Sequence, residues 1–430
     1  MVSGNYLFCM LCLMDSDDLS YRQDMDDSSA DVPGSTVANM MTKRQSTCPV
    51  STNASSSSSS SPSKSKRKCT SKDEEGGFLP NDVISIILSH LPASFLYENC
   101  RLACRAWAKL LRCPNFVNSQ LSRTLPPCLF IQKVQAKGKA LKTKCVGIIE
   151  DWSNIQVRDM NLQSLGCIVS SSDGVVLIRN DFQCFIANPI TRQVLKLPDT
   201  KHFSPSLCFN GIARIPNTGE LKVVLHRKIS NHFFIITAGD GKKWRRYKIS
   251  TVIKPSRIRN HGTSVGGVVY SSVIDGGHCH CIFAVDLRDE SGHQVMLPDG
   301  KHQTILSNRD SLYVIDVAMR NTGFWRVWLL KDLHRREWVR IQDLDISAMG
   351  LLEPLPKPLV WLESEQVMVV DTSRGCLKGW RDGPGRRSCS QKVVVGCCLR
   401  SGNYKILEEN SDWPDVQLKV LWHTNSLVRF

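Results

Sequence analysis

Three places in this 430-residue chain carry side chains at spacings that chemistry uses. Gly262-Thr263-Ser264-Val265-Gly266 has the Gly-x-Ser-x-Gly form of a nucleophile elbow, where a serine on a strand-to-helix turn attacks an acyl carbon. Here a basic, polar stretch precedes the serine and an apparent strand, Val268–Tyr270, follows it. The order of elements is reversed, which argues against a hydrolase. His278-Cys279-His280-Cys281 places four metal-binding side chains in a row. On a strand, alternate residues face opposite sides, so the histidines and cysteines point apart and cannot close one tetrahedral shell. Cys9 and Cys12 form a lone Cys-x-x-Cys with no second pair at zinc spacing. There is no phosphate-binding loop, dinucleotide fingerprint or His-Glu-x-x-His pattern. The chain is therefore expected to be non-catalytic, with no catalytic residues, no metal and no cofactor.

The eighteen cysteines are scattered. The apolar run Tyr6–Met14 is short, has no basic residue before it and is followed by acid, which makes a poor signal peptide. The cysteines are accordingly read as thiols of a reducing compartment. No stretch is long and apolar enough for a membrane span, and no membrane partner is expected. The formal charge of +15 is unevenly spread: −6 over residues 1–40, +4 over 41–77 and +17 over 78–430. Basic clusters lie at 242–248, 254–259 and 331–340. Such clusters would attract an acidic or phosphorylated partner. With Trp244 among them they would also suit nucleic acid, although no nucleic-acid module is visible. Solvated loops are the third reading.

The chain divides into three parts. Residues 1–77 combine an acidic stretch, the serine run Ser55–Ser61 and the basic cluster Lys64-Ser65-Lys66-Arg67-Lys68. Few of these residues would build a core, so the segment is expected to be a disordered tail. Its basic cluster reads as a nuclear import signal or a solubilising tail, leaving action in the nucleus, the cytoplasm or both. Residues 78–120 form a small helical unit. Val83, Ile84, Ile87, Leu88 and Leu91 recur at helical spacing, Pro92 stops that helix, and Trp107, Leu110 and Leu111 mark a third one. About forty residues are too few for an independent core. The apolar faces must be covered either by the rest of the chain, as a structural cap, or by a partner, as a docking module.

Residues 128–430 alternate short β-rich runs with Gly, Pro, Asn and Asp turns and hold nine of the ten tryptophans. Apolar strand centres near 130, 176, 223, 269, 313 and 361 recur about every 47 residues, a propeller-blade period. Two other markers agree: Trp244 and Trp338 are 94 positions apart, and Leu197-Pro198 and Leu297-Pro298 are 100 apart. The expected architecture is α+β and multidomain: a tail, three helices, then an all-β domain that is a six-bladed β-propeller. A β-sandwich pair or an irregular barrel is the alternative.

Phe78-Leu79-Pro80-Asn81-Asp82-Val83, Ile87-Leu88-Ser89-His90-Leu91-Pro92, Leu102-Ala103-Cys104-Arg105-Ala106-Trp107 and Phe116 resemble, in order, the F-box. Ala103 and Arg105 depart mildly from its usual Val and Lys. Ser172-Asp173-Gly174-Val175-Val176, Ala187-Asn188-Pro189-Ile190-Thr191-Arg192, Ala284–Glu290, Val327–Asp332 with Trp338, and Asn425-Ser426-Leu427-Val428 resemble the F-box-associated domain of plant F-box proteins, kelch-like at most. The resemblance implies a substrate receptor of an SCF-type ubiquitin ligase. The helical unit would dock on a Skp-type adaptor, and through it a cullin, while the β domain holds a target protein. It implies adaptor contacts at or near Leu79, Pro80, Val83, Ile87, Leu88, Leu91 and Pro92, with Trp107 also fixing helix packing. The runner-up is a nuclear propeller that binds nucleic acid or acidic partners and has no ligase role.

Overall fold

The computed structural model describes residues 79–123 and, apart from several connections between strands, 128–430. The expected disordered tail, its basic cluster and Phe78 lie outside the described residues. Among the described residues no helix is long and apolar enough to cross a membrane.

The β domain is a six-bladed propeller of four-stranded antiparallel sheets. Blade 1 holds β1 (Cys128–Gln135), β2 (Ala140–Ile149) and β3 (Asn154–Met160). Blade 2 holds β4 (Cys167–Ser172), β5 (Val175–Asn180), β6 (Gln183–Asn188) and β7 (Gln193–Lys196). Blade 3 runs from β8 (Leu207–Arg214) through β9 (Leu221–Arg227) and β10 (His232–Thr237) to β11 (Arg245–Lys248). Blade 4 comprises β12 (Thr263–Val265), β13 (Val268–Asp275), β14 (His278–Asp286) and β15 (Ser291–Met296). Blade 5 comprises β16 (Gln303–Ser307), β17 (Leu312–Asp316), β18 (Phe324–Asp332) and β19 (Glu337–Asp345). Blade 6 comprises β20 (Lys357–Leu362), β21 (Val367–Ser373), β22 (Lys392–Cys398) and β23 (Tyr404–Glu409). The last strand, β24 (Val416–His423), pairs antiparallel with β1 and completes blade 1 as its inner strand. Chain end and domain start are thereby joined by a full strand ladder, which removes the open edge of the ring.

The blade period has a physical source. A strand inside a blade is covered on both faces by neighbouring blades, so its residues are apolar without alternation. Val175, Val176, Leu177 and Ile178 of β5 are all fully buried. Five of the six sequence anchors fall on the second strand from the axis, namely β1, β5, β9, β13 and β17. The sixth, Val360-Trp361-Leu362, falls on β20, the inner strand of blade 6.

A second repeat lies at the hairpins between the third and fourth strands of the blades. Asn188, Asp286 and Asp332 end the third strand of blades 2, 4 and 5, and each side-chain oxygen accepts a backbone N–H two or three residues on. Four positions after each stands a residue in the left-handed region: Arg192 (φ 57°), Glu290 (φ 61°) and Arg336 (φ 57°). Cys398 and Gly402 (φ 68°) occupy the same two places in blade 6. Tryptophans then lock adjacent blades: Trp244 Nε1 donates to Pro198 O (3.2 Å), and Trp338 Nε1 donates to Met296 O (2.9 Å). The Trp and Leu-Pro spacings of the sequence are thus two halves of one inter-blade contact.

Two expectations about chemistry are resolved here. Ser264 sits on β12 at the propeller axis, and its hydroxyl donates to Ser171 O on β4 (2.9 Å), stitching blade 4 to blade 2. Strand β13 follows it directly, so the serine does not stand on a strand-to-helix turn. The all-thiol reading is corrected at one pair: Cys128 and Cys145 form a disulfide between β1 and β2, because neighbouring antiparallel strands bring their Cα atoms to 6.6 Å. Nine other described cysteines stand as thiols. Cys279 and Cys281 share the buried side of β14, and the described residues contain no cluster of three or more His, Cys, Asp or Glu suited to a metal.

Candidate docking face on the helical unit

Helix α1 (Asn81–Ser89) starts after Pro80, whose carbonyl accepts the Ile84 N–H (3.1 Å), and Asp82 in its first turn favours the positive helix end. A short helix α2 (Ala93–Phe95) passes through a π turn, Leu96–Cys100, into α3 (Arg101–Ala103). Helix α4 (Arg105–Leu110) is capped by Cys104, whose sulfur accepts the Trp107 N–H (3.4 Å). The Cys-x-x-Trp pattern is in this respect a capping device. Helix α5 (Pro114–Ser122) closes the unit with Pro114 in its first turn.

The propeller covers one side of the unit and leaves another side open. Leu88, Ala93, Leu96, Cys100, Leu111, Phe116, Val117 and Leu121 are buried in one cluster with Val175, Leu177 and Ile186 of blade 2 and with Val223 and Leu225 of blade 3. Leu427 and Val428, after β24, belong to the same cluster. Polar ties fix the contact: Tyr97 Oη donates to Thr191 O (2.9 Å), and Arg214 Nη2 donates to Asn118 Oδ1 (2.6 Å). Asn188 Nδ2 donates to Ser426 O and Val428 O, and Ser426 Oγ donates to Asp173 O.

The other side of α1 is apolar and exposed. Leu79, Val83, Ile86 and Ile87 keep 43%, 37%, 55% and 36% of their surface, and Leu102 on α3 keeps 71%. Ile84, Leu88 and Leu91 pack inward instead. Of the residues expected at the adaptor contact, Leu79, Pro80, Val83, Ile87 and Pro92 are exposed, and Leu91 and Trp107 are half-buried. Leu88 is corrected: at 2% exposure it is a core residue held against the propeller, and it is not available to a partner. Ile86 and Leu102 are additions. Ile86 lies three positions after Val83, so the helical wheel already puts it on the Val83 face.

The basic clusters are paired only in part among the described residues. Arg245 and Lys222 of blade 3 both pair with Glu290 of blade 4, and Tyr247 Oη donates to the same carboxylate. Lys331 pairs with Glu337 and Arg340 with Asp343. Cluster 254–259 lies outside the described residues except for Ile258.

Residues 135–348 match the family described as the F-box associated beta propeller domain. Two chains of Arabidopsis thaliana, named as the F-box proteins At3g52320 and At1g46984, are similar to this one. The first is 25% identical over 303 residues, covering 64% of this chain and 75% of its own. The second is 27% identical over 278 residues, covering 60% of this chain and 72% of its own. Among solved structures, TolB from Acinetobacter baumannii is 10% identical with a TM-score of 0.38, covering 69% of this chain and 66% of TolB, a likeness too distant to carry an argument.

Proposed function

The chain belongs to the plant F-box proteins that carry an F-box-associated β-propeller domain, and from that premise we propose that it is the substrate-recognition subunit of an SCF-type ubiquitin ligase. The helical unit docks on a Skp-type adaptor, and the propeller holds a target protein. The chain makes and breaks no bond itself. It contributes proximity, turning the encounter of target and conjugating enzyme into a positioned one.

One observation carries this reading: α1 carries apolar residues on two sides. Only the Ile84–Leu88–Leu91 side is covered by the fold. The Leu79–Val83–Ile86–Ile87 side therefore calls for a protein surface. The shared core between helices and blades makes the receptor one stiff piece, so the adaptor's position fixes that of the target.

The test uses the full chain and a purified Skp-type adaptor. An Ile86→Asp/Val83→Asp variant should lose adaptor co-purification while its melting temperature stays within a few degrees of wild type, because both positions are exposed. A folded variant that still co-purifies would sink the assignment of this face.

A further inference from the structure

We propose that the axial cavity of the propeller is a binding site for a small, uncharged, polyhydroxylated molecule of the sugar class. The inference goes beyond the ligase reading and does not depend on it.

The cavity measures about 460 Å3, within the ordinary range of small-molecule sites. All six innermost strands line it: β4, β8, β12, β16, β20 and β24. Asn118, Leu121 and Ser122 of α5 belong to its wall as well, so the helical unit and the ring enclose it together. Each innermost strand is paired on one side only, which leaves its other edge toward the axis and makes the wall polar.

Part of the hydroxyl lining holds the blades together. Ser172 Oγ accepts the Arg214 N–H (3.2 Å), Ser264 Oγ donates to Ser171 O (2.9 Å), and the Thr263 and Ser307 hydroxyls share a hydrogen bond. Three hydroxyls are left over. Tyr270, Ser272 and Thr424 line the same cavity, and none of their hydroxyls has a hydrogen-bond partner among the described residues. Tyr270 and Thr424 are 5% and 7% exposed, and a buried hydroxyl is normally paired. Tyr270 and Ser272 stand two apart on β13 and so share one face of it. Burial, with the Asp286 carboxylate nearby, pushes the Tyr270 phenol up, so it is a proton donor at neutral pH. Trp422 also lines the cavity; it is half-buried, and its accessible part excludes the indole N–H, which is buried.

Charge narrows the class of ligand. Residues 78–430 carry +17, yet the lining residues described include only three charged ones, Asp173, Arg214 and Asp310. Arg214 is committed: its Nη2 donates to Asn118 Oδ1 (2.6 Å), and its Nη1 lies 4.0 Å from Asp173 Oδ2. A phosphate or carboxylate would therefore find no unpaired cation among these residues. A purely apolar ligand would strand the three hydroxyls. A neutral ring bearing hydroxyls satisfies both conditions. Its O–H groups exchange hydrogen bonds with Tyr270, Ser272 and Thr424, and its C–H face suits the ring of Trp422.

The experiment uses the full chain alone, with glucose, galactose, xylose and sucrose as probes, read by saturation-transfer NMR and calorimetry. At least one sugar should bind saturably with a dissociation constant of about 0.1–10 mM, undiminished by excess inorganic phosphate. Tyr270→Phe and Ser272→Ala each remove one hydroxyl and should weaken that binding about three- to tenfold, with melting temperatures within a few degrees of wild type. Absence of saturable binding by all four sugars would mean that the cavity holds water only and would overturn the proposal. Binding unchanged in both variants would put the sugar elsewhere and overturn it too. Competition by phosphate would overturn the assignment of a neutral ligand. No adaptor enters the experiment, so these outcomes are separate from those that test the docking reading.

Discussion

His423 offers the sharpest test of how the ring is closed. It ends β24, is wholly buried, packs tilted against Phe130 of β1 at 4.2 Å between ring centroids, and shares a hydrogen bond with Ser171 Oγ of β4 (2.9 Å). One imidazole thus joins the two ends of the propeller and its second blade. Burial pushes its pKa down from 6.5 to about 3. The folded value lies below the unfolded one, so between these limits the unfolded chain binds more protons. Stability is then full above about pH 6.5 and is lost as pH falls toward 3, at about 1.4 kcal/mol per pH unit. From pH 7.5 to pH 5 the loss from this residue alone is about 2 kcal/mol, a large share of a domain's 5–15 kcal/mol. Urea unfolding at pH 7.5, 6.5, 5.5 and 5 would be compared for wild type and His423→Gln. The variant should be less stable at pH 7.5, and the gap should narrow by about 2 kcal/mol at pH 5. A gap that stays constant over this range would refute the assignment of a buried neutral imidazole at the closure.

Three further outcomes follow from single residues. Gly174 (φ +83°) lies where an added Cβ would meet Ser426 Oγ at 2.0 Å and Thr424 O at 2.7 Å, so Gly174→Ala should cost about 2–5 kcal/mol and loosen the C-terminal segment, read by thermal melting and proteolysis at 424–430. Cys398 stands where the equivalent turns of blades 4 and 5 carry a carboxylate; burial pushes its thiol up, but the Ser401 and Arg400 donors outweigh that and hold it below the usual thiol range. Cys398→Asp should therefore raise stability by about 0.5–2 kcal/mol, and a lower melting temperature would contradict the repeat. Gln120 on α5 is fully buried and neither end of its amide finds a partner, so Gln120→Met should stabilise by about 1–2 kcal/mol in urea unfolding, whereas a loss would point to an unrecognised partner at that amide.

Much of this protein was legible from its sequence because its constraints are local or periodic. Strands covered on both faces must be apolar throughout, which made β5, β9 and β13 visible as runs such as Val175-Val176-Leu177. Asn188, Asp286 and Asp332 stand in motifs read from the sequence, but their shared role as hairpin acceptors, with a residue at positive φ four places later, emerges only in the structure. The F-box motif fixed where helices begin and end, since proline and the Cys104 cap act within one turn. Tertiary structure alone decided the rest. Helical spacing marks α1 as apolar, but which side is covered depends on where blade 2 and residues 427–428 arrive in space, so Leu88 went to the core while Ile86 stayed outside. The Cys128–Cys145 pair depends on strand register, which no count of cysteines specifies. The place of Leu427 and Val428 in the core beneath the helical unit joins residues more than 300 positions apart, and it follows from β24 returning the chain to blade 1.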